Sequence, residues 1–200
     1  MSGVGRYLVV YCHPIPDSFC AALRDAVTSG LDRSKAAYDL VDLYASGFDP
    51  APSADERQAI AGPLVDLILD HRRMLDRAAH LVVVYPTWWS GPPSLLKGWV
   101  DLVLTGEGLP PNHPLAARQR RRDLHAISVV TTHGSGRWRN RLQGQVGRSI
   151  FLKVFARNCA RRCRRSWIAM YDLDRADAVD RTAFVEQVER TFGGPGPGGD

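Results

Sequence analysis

The chain has 200 residues, 44% of them hydrophobic and 24% charged, with a formal net charge of +5 at neutral pH. That length and balance suit one globular domain with a sizeable core and exclude collagen, coiled-coil and disordered classes. No apolar run approaches a membrane span, and the start of the chain lacks signal-peptide features, so a soluble cytoplasmic protein is expected.

"RYLVVYCH" (6–13) is a short apolar run rich in β-branched and aromatic residues, and reads as a buried strand. In "DSFCAALRDAVTSGL" (17–31), Phe19, Ala22, Leu23, Ala26 and Val27 share a helical face; Asp17 or Ser18 can cap its start and Gly30 can stop it. "AAYDLVDLY" (36–44) alternates as a second strand, followed by a loop at 46–56 and a short helix. Leu64, Leu67, Ile68, Met74, Leu75 and Ala78 mark a helix over 64–78. "HLVVVYP" (80–86) is apolar on both faces, as a central parallel strand must be.

"TWWSGPP" follows, and Pro92 and Pro93 suit the first turn of a helix that buries Leu95, Leu96, Trp99, Val100 and Val103. "LHAISVVTTHG" (124–134) is a fourth strand running into a polar loop, 145–162 a helix, "RSWIAMYDL" (165–173) a fifth strand and 177–192 a last helix. A single domain over 1–192 is expected, with a disordered Gly/Pro tail at 193–200. Strands alternating with helices imply a parallel sheet covered on both faces. Ligands of such sheets sit at the carboxyl ends of the strands, where "HPIPDSF", "PTWWSGPP" and "TTHGSGRW" all emerge.

The first of these loops ends at a helix start carrying Ser18 and Phe19 behind His13, an anion cradle suited to phosphate. The same residues also make sense as a plain cap and a strand-end histidine. Trp88, Trp89 and Tyr85 offer flat faces of the size of a planar ring, on a backbone stiffened by Pro86, Pro92 and Pro93. Core plugs or an oligomer interface would use the tryptophans equally well. The threonines and glycines of the third loop bring backbone amides close to a ring edge. No dinucleotide glycine fingerprint, phosphate-binding Gly-Lys loop or G-x-S-x-G elbow is present. Together the three loops fit a flavin nucleotide.

Cys12, Cys20, Cys159 and Cys163 are too few and scattered for a disulfide framework. Cys159 and Cys163 have the spacing of one helical face, but nothing nearby completes a zinc set, so free thiols and no metal are expected. Charge is one-sided: Leu124 to Tyr171 holds ten Arg or Lys and no Asp or Glu, and "RQRRR" (118–122) precedes it. A basic 118–165 region attracts anions such as the phosphates of NADPH, or a membrane surface. It is also compatible with a solvated surface. No nucleic-acid-binding module accompanies it, and no nucleic-acid partner is expected.

"HPIPDSFCAAL" and "YPTWWSGPPSLLKGWVD" resemble the NAD(P)H:quinone oxidoreductases of the flavodoxin-like fold. The matching positions are His13-Pro14, Ser18-Phe19, Pro86, Trp89, Pro93 and the Leu96-Lys97-Gly98-Trp99 run; "TTHGSG" and "LQGQVG" resemble two further family segments. The resemblance implies a three-layer sandwich with a five-stranded parallel sheet in order 2-1-3-4-5. It implies a bound FAD, with FMN the alternative, held at its phosphate and ribityl part by His13, Ser18, Phe19 and Cys20. Pro86, Thr87, Trp88 and Trp89 would line the isoalloxazine, with Thr131, Thr132, His133 and Gly134 opposite or at the ring edge.

Hydride would pass from NAD(P)H to the flavin and on to a quinone-like small molecule, in a homodimer. A family Tyr/His pair that stabilises charge on the reduced flavin is missing here: Val146 stands at the His position, and Trp138, Arg139 and Asn140 surround the Tyr position. Arg139 or His133 then becomes the candidate source of positive charge, and Trp89 the wall on the substrate side. A flavin-binding regulatory subunit of a membrane transporter, with little turnover and peripheral membrane contact, is the alternative reading.

Overall fold

A computed structural model describes residues 5–58, 62–105 and 123–194. Five parallel strands, β1 (Tyr7–Tyr11), β2 (Tyr38–Asp42), β3 (His80–Pro86), β4 (Ala126–Thr132) and β5 (Arg164–Met170), lie in the order β2-β1-β3-β4-β5, as expected. Every residue of β1, β3 and β4 is buried, whereas β2 and β5, at the edges, are largely not. A parallel strand covered on both faces has no polar side to show, so its sequence is continuously apolar.

Alternate residues feed two cores. Tyr7, Val9, Tyr11, Val82 and Val84 pack under helix α1 (Phe19–Arg33) and helix α7 (Ala178–Gly193). Leu8, Val10, Leu81, Val83 and Tyr85 face the opposite layer, which includes α3 (Pro63–Asp76), α4 (Ser94–Trp99) and the segment after β4. A short helix α2 (Ala54–Gln58) follows the second strand's loop.

Ser18, not Asp17, caps α1: its Oγ accepts from the Ala21 N–H at 3.1 Å. Gly30 does not stop the helix, which continues to Arg33. It is instead the point where α7 comes closest, for a Cβ there would stand 2.5 Å from the Glu189 carbonyl oxygen. The Arg33–Glu189 ion pair closes the same contact.

Beyond the tryptophan loop, α4 loosens into a π-helical turn over Val100–Thr105. Its spare carbonyls are not orphaned. The buried Arg72 guanidinium donates to the Val103 and Leu102 oxygens at 3.1 Å each. Trp99 is fully buried, and its Nε1 donates to Nδ1 of His71 at 3.2 Å.

After β4 the chain departs from expectation. The polar loop contains a helix, α5 (Arg137–Leu142), and the expected helix over 145–162 is broken into α6 (Val146–Ser149), a π-turn (Ile150–Val154) and a 3-10 turn (Phe155–Asn158). Within α6, Gly147 packs against the fully buried Tyr85 ring so closely that any Cβ would overlap Tyr85 Oη. Cys159 and Cys163 do not share a helix, although their thiols are neighbours and the hydrogen bond from Cys159 holds the Cys163 thiol below its usual range. The "RQRRR" cluster and residues 195–200 lie outside the described residues. Among the described residues, no helix is long and apolar enough to cross a membrane.

Candidate functional site

The three expected loops leave the carboxyl ends of β1, β3 and β4, adjacent strands. Behind β1, the amides of Phe19 and Cys20 open α1 and have no carbonyl one turn back inside the helix. With the Ser18 hydroxyl and the His13 imidazole they are the groups expected to cradle a phosphate. His13 Nδ1 accepts from the Ile15 N–H at 3.1 Å, which leaves Nε2 free to meet a ligand. Ser18 and Phe19 are half-buried, but the Cys20 side chain lies in the core beneath α1, where burial pushes its thiol up to about 12. Only the Cys20 backbone is available to a ligand.

The β3 loop begins by extending the ladder: the Thr87 N–H donates to the Thr132 oxygen at 2.9 Å, and the Thr87 and Thr131 hydroxyls stand 3.1 Å apart. Next comes a two-residue turn. Trp88 and Gly91 exchange both backbone hydrogen bonds at 3.0 Å, and Trp89 and Ser90 occupy its tip with φ of 48° and 66°. That is type I′ geometry, for which Asn-Gly is the favoured pair. Holding Trp and Ser there costs on the order of 1 kcal/mol each. The Ser90 Oγ donates to Gln143 Oε1 at 2.9 Å, tying the turn to the end of α5.

The strained turn lifts both indoles into solvent. Trp89 is 102% exposed and Trp88 is 43% exposed, so neither plugs the core. The Trp88 ring lies 6.0 Å from the His13 ring, which joins the aromatic platform to the cradle. Tyr85, by contrast, is fully buried and contributes no face to the crevice. Pro86 is buried at the strand end.

On the β4 side, Thr131 and Thr132 are buried within the strand, and the His133 N–H is committed to the Met170 oxygen at 2.8 Å. The His133 ring is 3% exposed and stacks flat on Tyr171, centroids 4.7 Å apart and planes within 4°. Neither ring nitrogen has a hydrogen-bond partner among the described residues. Desolvation pushes its pKa down to about 4, with the Asn140 side chain acting in the opposite sense. At neutral pH the imidazole is therefore uncharged, and of the two expected sources of positive charge only Arg139, exposed on α5, is left. Gly134 and Gly136 leave room for carboxylates: a Cβ would stand 2.5 Å from Asp174 on the first and 3.2 Å from Asp172 on the second.

Sequence reasoning gives Tyr171 no role, and touches Gln143 and Gln145 only as part of "LQGQVG". The only local signal for Tyr171 was its place as the first polar aromatic after β5. Among the described residues no group of three or more His, Cys, Asp or Glu is placed to hold a metal.

A family model described as the flavodoxin-like fold matches residues 5–191. The chain belongs to the flavodoxin-like fold family. Among individual members, the ribosyldihydronicotinamide dehydrogenase [quinone] of Pongo abelii is 29% identical over 117 residues, 50% of this chain and 51% of that one. The NAD(P)H dehydrogenase [quinone] 1 of Cavia porcellus is 27% identical over 156 residues, 68% of this chain and 56% of that one. The chain thus spans about half the length of the curated relatives it matches. Among flavodoxin-like structures, the NAD(P)H:quinone oxidoreductase from Methanothermobacter marburgensis superposes with a TM-score of 0.76 at 23% identity, covering 94% of both chains.

The donors at the start of α1, a hydroxyl and an imidazole, with the Trp88 indole beside that imidazole and the exposed Trp89 indole next to it, are groups of the kind a flavin nucleotide would need for its phosphate and its ring.

Proposed function

We propose that the chain is a flavin-dependent NAD(P)H oxidoreductase that reduces a quinone-like acceptor by two electrons. The observation that carries this reading is the strained Trp89–Ser90 turn, which exposes two indoles beside the His13 and α1 cradle. Core stability alone gives no reason to hold Trp in a glycine conformation with its ring in water. The dehydrogenase and oxidoreductase names of the relatives favour turnover over a regulatory role.

FAD is the assigned cofactor, with FMN as the alternative; when bound it supplies the hydride chemistry. His13, Ser18 and the Phe19 and Cys20 amides hold its phosphate. Pro86, Thr87 and Trp88 fix the position of its ring, and Thr131 sets Thr87 through the hydroxyl contact. Trp89 shields the acceptor face from water and presents a flat surface to a planar substrate. Arg139 supplies positive charge as the ring gains electrons. A second copy of the chain covers the exposed Trp89, giving a homodimer.

The test is the visible spectrum after incubation with FAD or FMN and desalting, then NAD(P)H oxidation with a benzoquinone. Retained flavin and quinone-dependent oxidation support the proposal; a colourless protein overturns it. His13→Ala is expected to loosen the flavin, and Trp89→Ala to slow acceptor reduction more than it lowers flavin retention.

A further inference from the structure

Between α5, α6 and the outer edge of β5 lies a cleft of about 380 Å³ whose lining includes no residue of the tryptophan turn. Four cations line it: Arg137 and Arg141, one helical turn apart on α5, and Arg148 and Lys153 on the following segment. Among the described residues no carboxylate lines it, and none of the four forms an ion pair. The adjoining cavity, of about 760 Å³, shares Arg137 but is also lined by Asp172 and Asp180, so its charge is mixed. The one-signed charge belongs to the smaller cleft.

Arg-rich surfaces are ordinary when each guanidinium points separately into water. Here two chain segments turn their cations toward one concave space, and like charges gathered in that way raise the energy of the empty protein. The floor is also organised. Gln145, in the joint between α5 and α6 at φ 44°, donates from Nε2 to Tyr171 Oη at 3.1 Å and accepts from Arg148 Nη1 at 3.5 Å. Trp167 Nε1 donates to the same Tyr171 oxygen at 3.1 Å. Accepting two bonds leaves the Tyr171 O–H free to donate in its turn. A fork-shaped guanidinium set, a lysine point charge and a hydroxyl donor match the oxygens of a doubly charged phosphate group.

We propose that this cleft is a binding site for the phosphate group of a small phosphorylated ligand. Two sources share that chemistry: the phosphate on the ribose of NADPH, and a separate phosphorylated metabolite. Tyr171 connects the cleft to the crevice, since its other face stacks on His133 at the end of β4. Phosphate bound in the cleft therefore lies one aromatic layer from the proposed redox site.

The test uses calorimetric titration of inorganic pyrophosphate and of adenosine 2′,5′-bisphosphate into the full chain. The comparison is with Arg137→Gln/Arg148→Gln, two exposed side chains whose loss leaves the core untouched. Saturable binding at about 0.15 M salt, weakened at least about tenfold in the double variant, is the expected result. A rise in the KM for NADPH, with the KM for NADH and flavin retention unchanged, identifies NADPH as the source. Loss of pyrophosphate binding with both KM values unchanged identifies a separate ligand. The NADPH arm rests on the oxidoreductase reading, whereas the pyrophosphate titration does not, so the two can fail independently. Absence of saturable pyrophosphate binding, or equal binding by the double variant, overturns the site.

Discussion

On the β1 side of the crevice, each functional group is placed by residues a few positions away: Ser18 caps its own helix, and His13 bonds to Ile15. On the β4 side, placement is almost entirely non-local. His133 is held by Tyr171 and Met170, the loop glycines are held open for Asp172 and Asp174, and α6 bends around Tyr85. A locally specified wall can lose one group and keep its shape. A wall assembled from four distant segments transmits any volume change into the core, because packed interiors leave no slack.

The sharpest way to expose that difference is Gly147→Ala. Its new methyl would overlap Tyr85 Oη inside the core, and a loss of up to about 3 kcal/mol in urea unfolding is expected. Unchanged stability would mean that the β4 side yields as easily as the β1 side.

Next in size is the pH dependence carried by His133. Its folded pKa of about 4 lies below the roughly 6.5 of an unfolded histidine. Between those values the unfolded chain holds a proton that the folded chain does not. The contribution is complete above about pH 6.5 and declines as pH falls towards 4, by about 2 kcal/mol between pH 7 and 5. His80, also held at about 4 by burial, acts with the same sign. His133→Phe keeps a ring on Tyr171 without the orphaned nitrogens, so its stability is expected to fall less over that interval. Parallel curves for variant and wild type would show that His133 is not responsible.

On the β1 side, Ser18→Ala removes one cap hydrogen bond and is expected to cost about 1 kcal/mol. Under the proposed function it should also weaken flavin retention, since the same hydroxyl is proposed to hold the phosphate. A loss as large as that of Gly147→Ala would contradict the local character of this wall.

The smallest expected change has the opposite sign. Trp89→Gly relieves a φ of 48° at a side chain that packs on no described residue of its own chain, and should raise the stability of the isolated subunit by up to about 1 kcal/mol while slowing acceptor reduction. A destabilised variant would show that the indole is structural.

Legibility in the sequence followed the same division. All five strands, and helices α1, α3, α4 and α7, could be read from apolar periodicity, because burial of each face imposes it. The start of α1 could be read to within one residue too, since a cap is a property of adjacent residues. Tyr85 was misjudged as part of the aromatic wall: strand alternation turns it into the core, while the turn that follows turns Trp88 and Trp89 out. The close approach at Gly147 carried no periodic signature, because its partner, Tyr85, lies about sixty residues away in the chain.

By itself, then, the amino-acid sequence determined the parallel α/β sandwich and its strand pattern, since hydrophobic period and capping act over a few residues. It also determined which loops meet at the carboxyl edge. The tertiary structure alone decided that His133 is buried, neutral and stacked, and that Gly30 and Gly147 are close-approach positions. It alone converted a scattered run of arginines into one cleft. Those outcomes depend on which distant surfaces come within van der Waals reach, and on how much water is left between them.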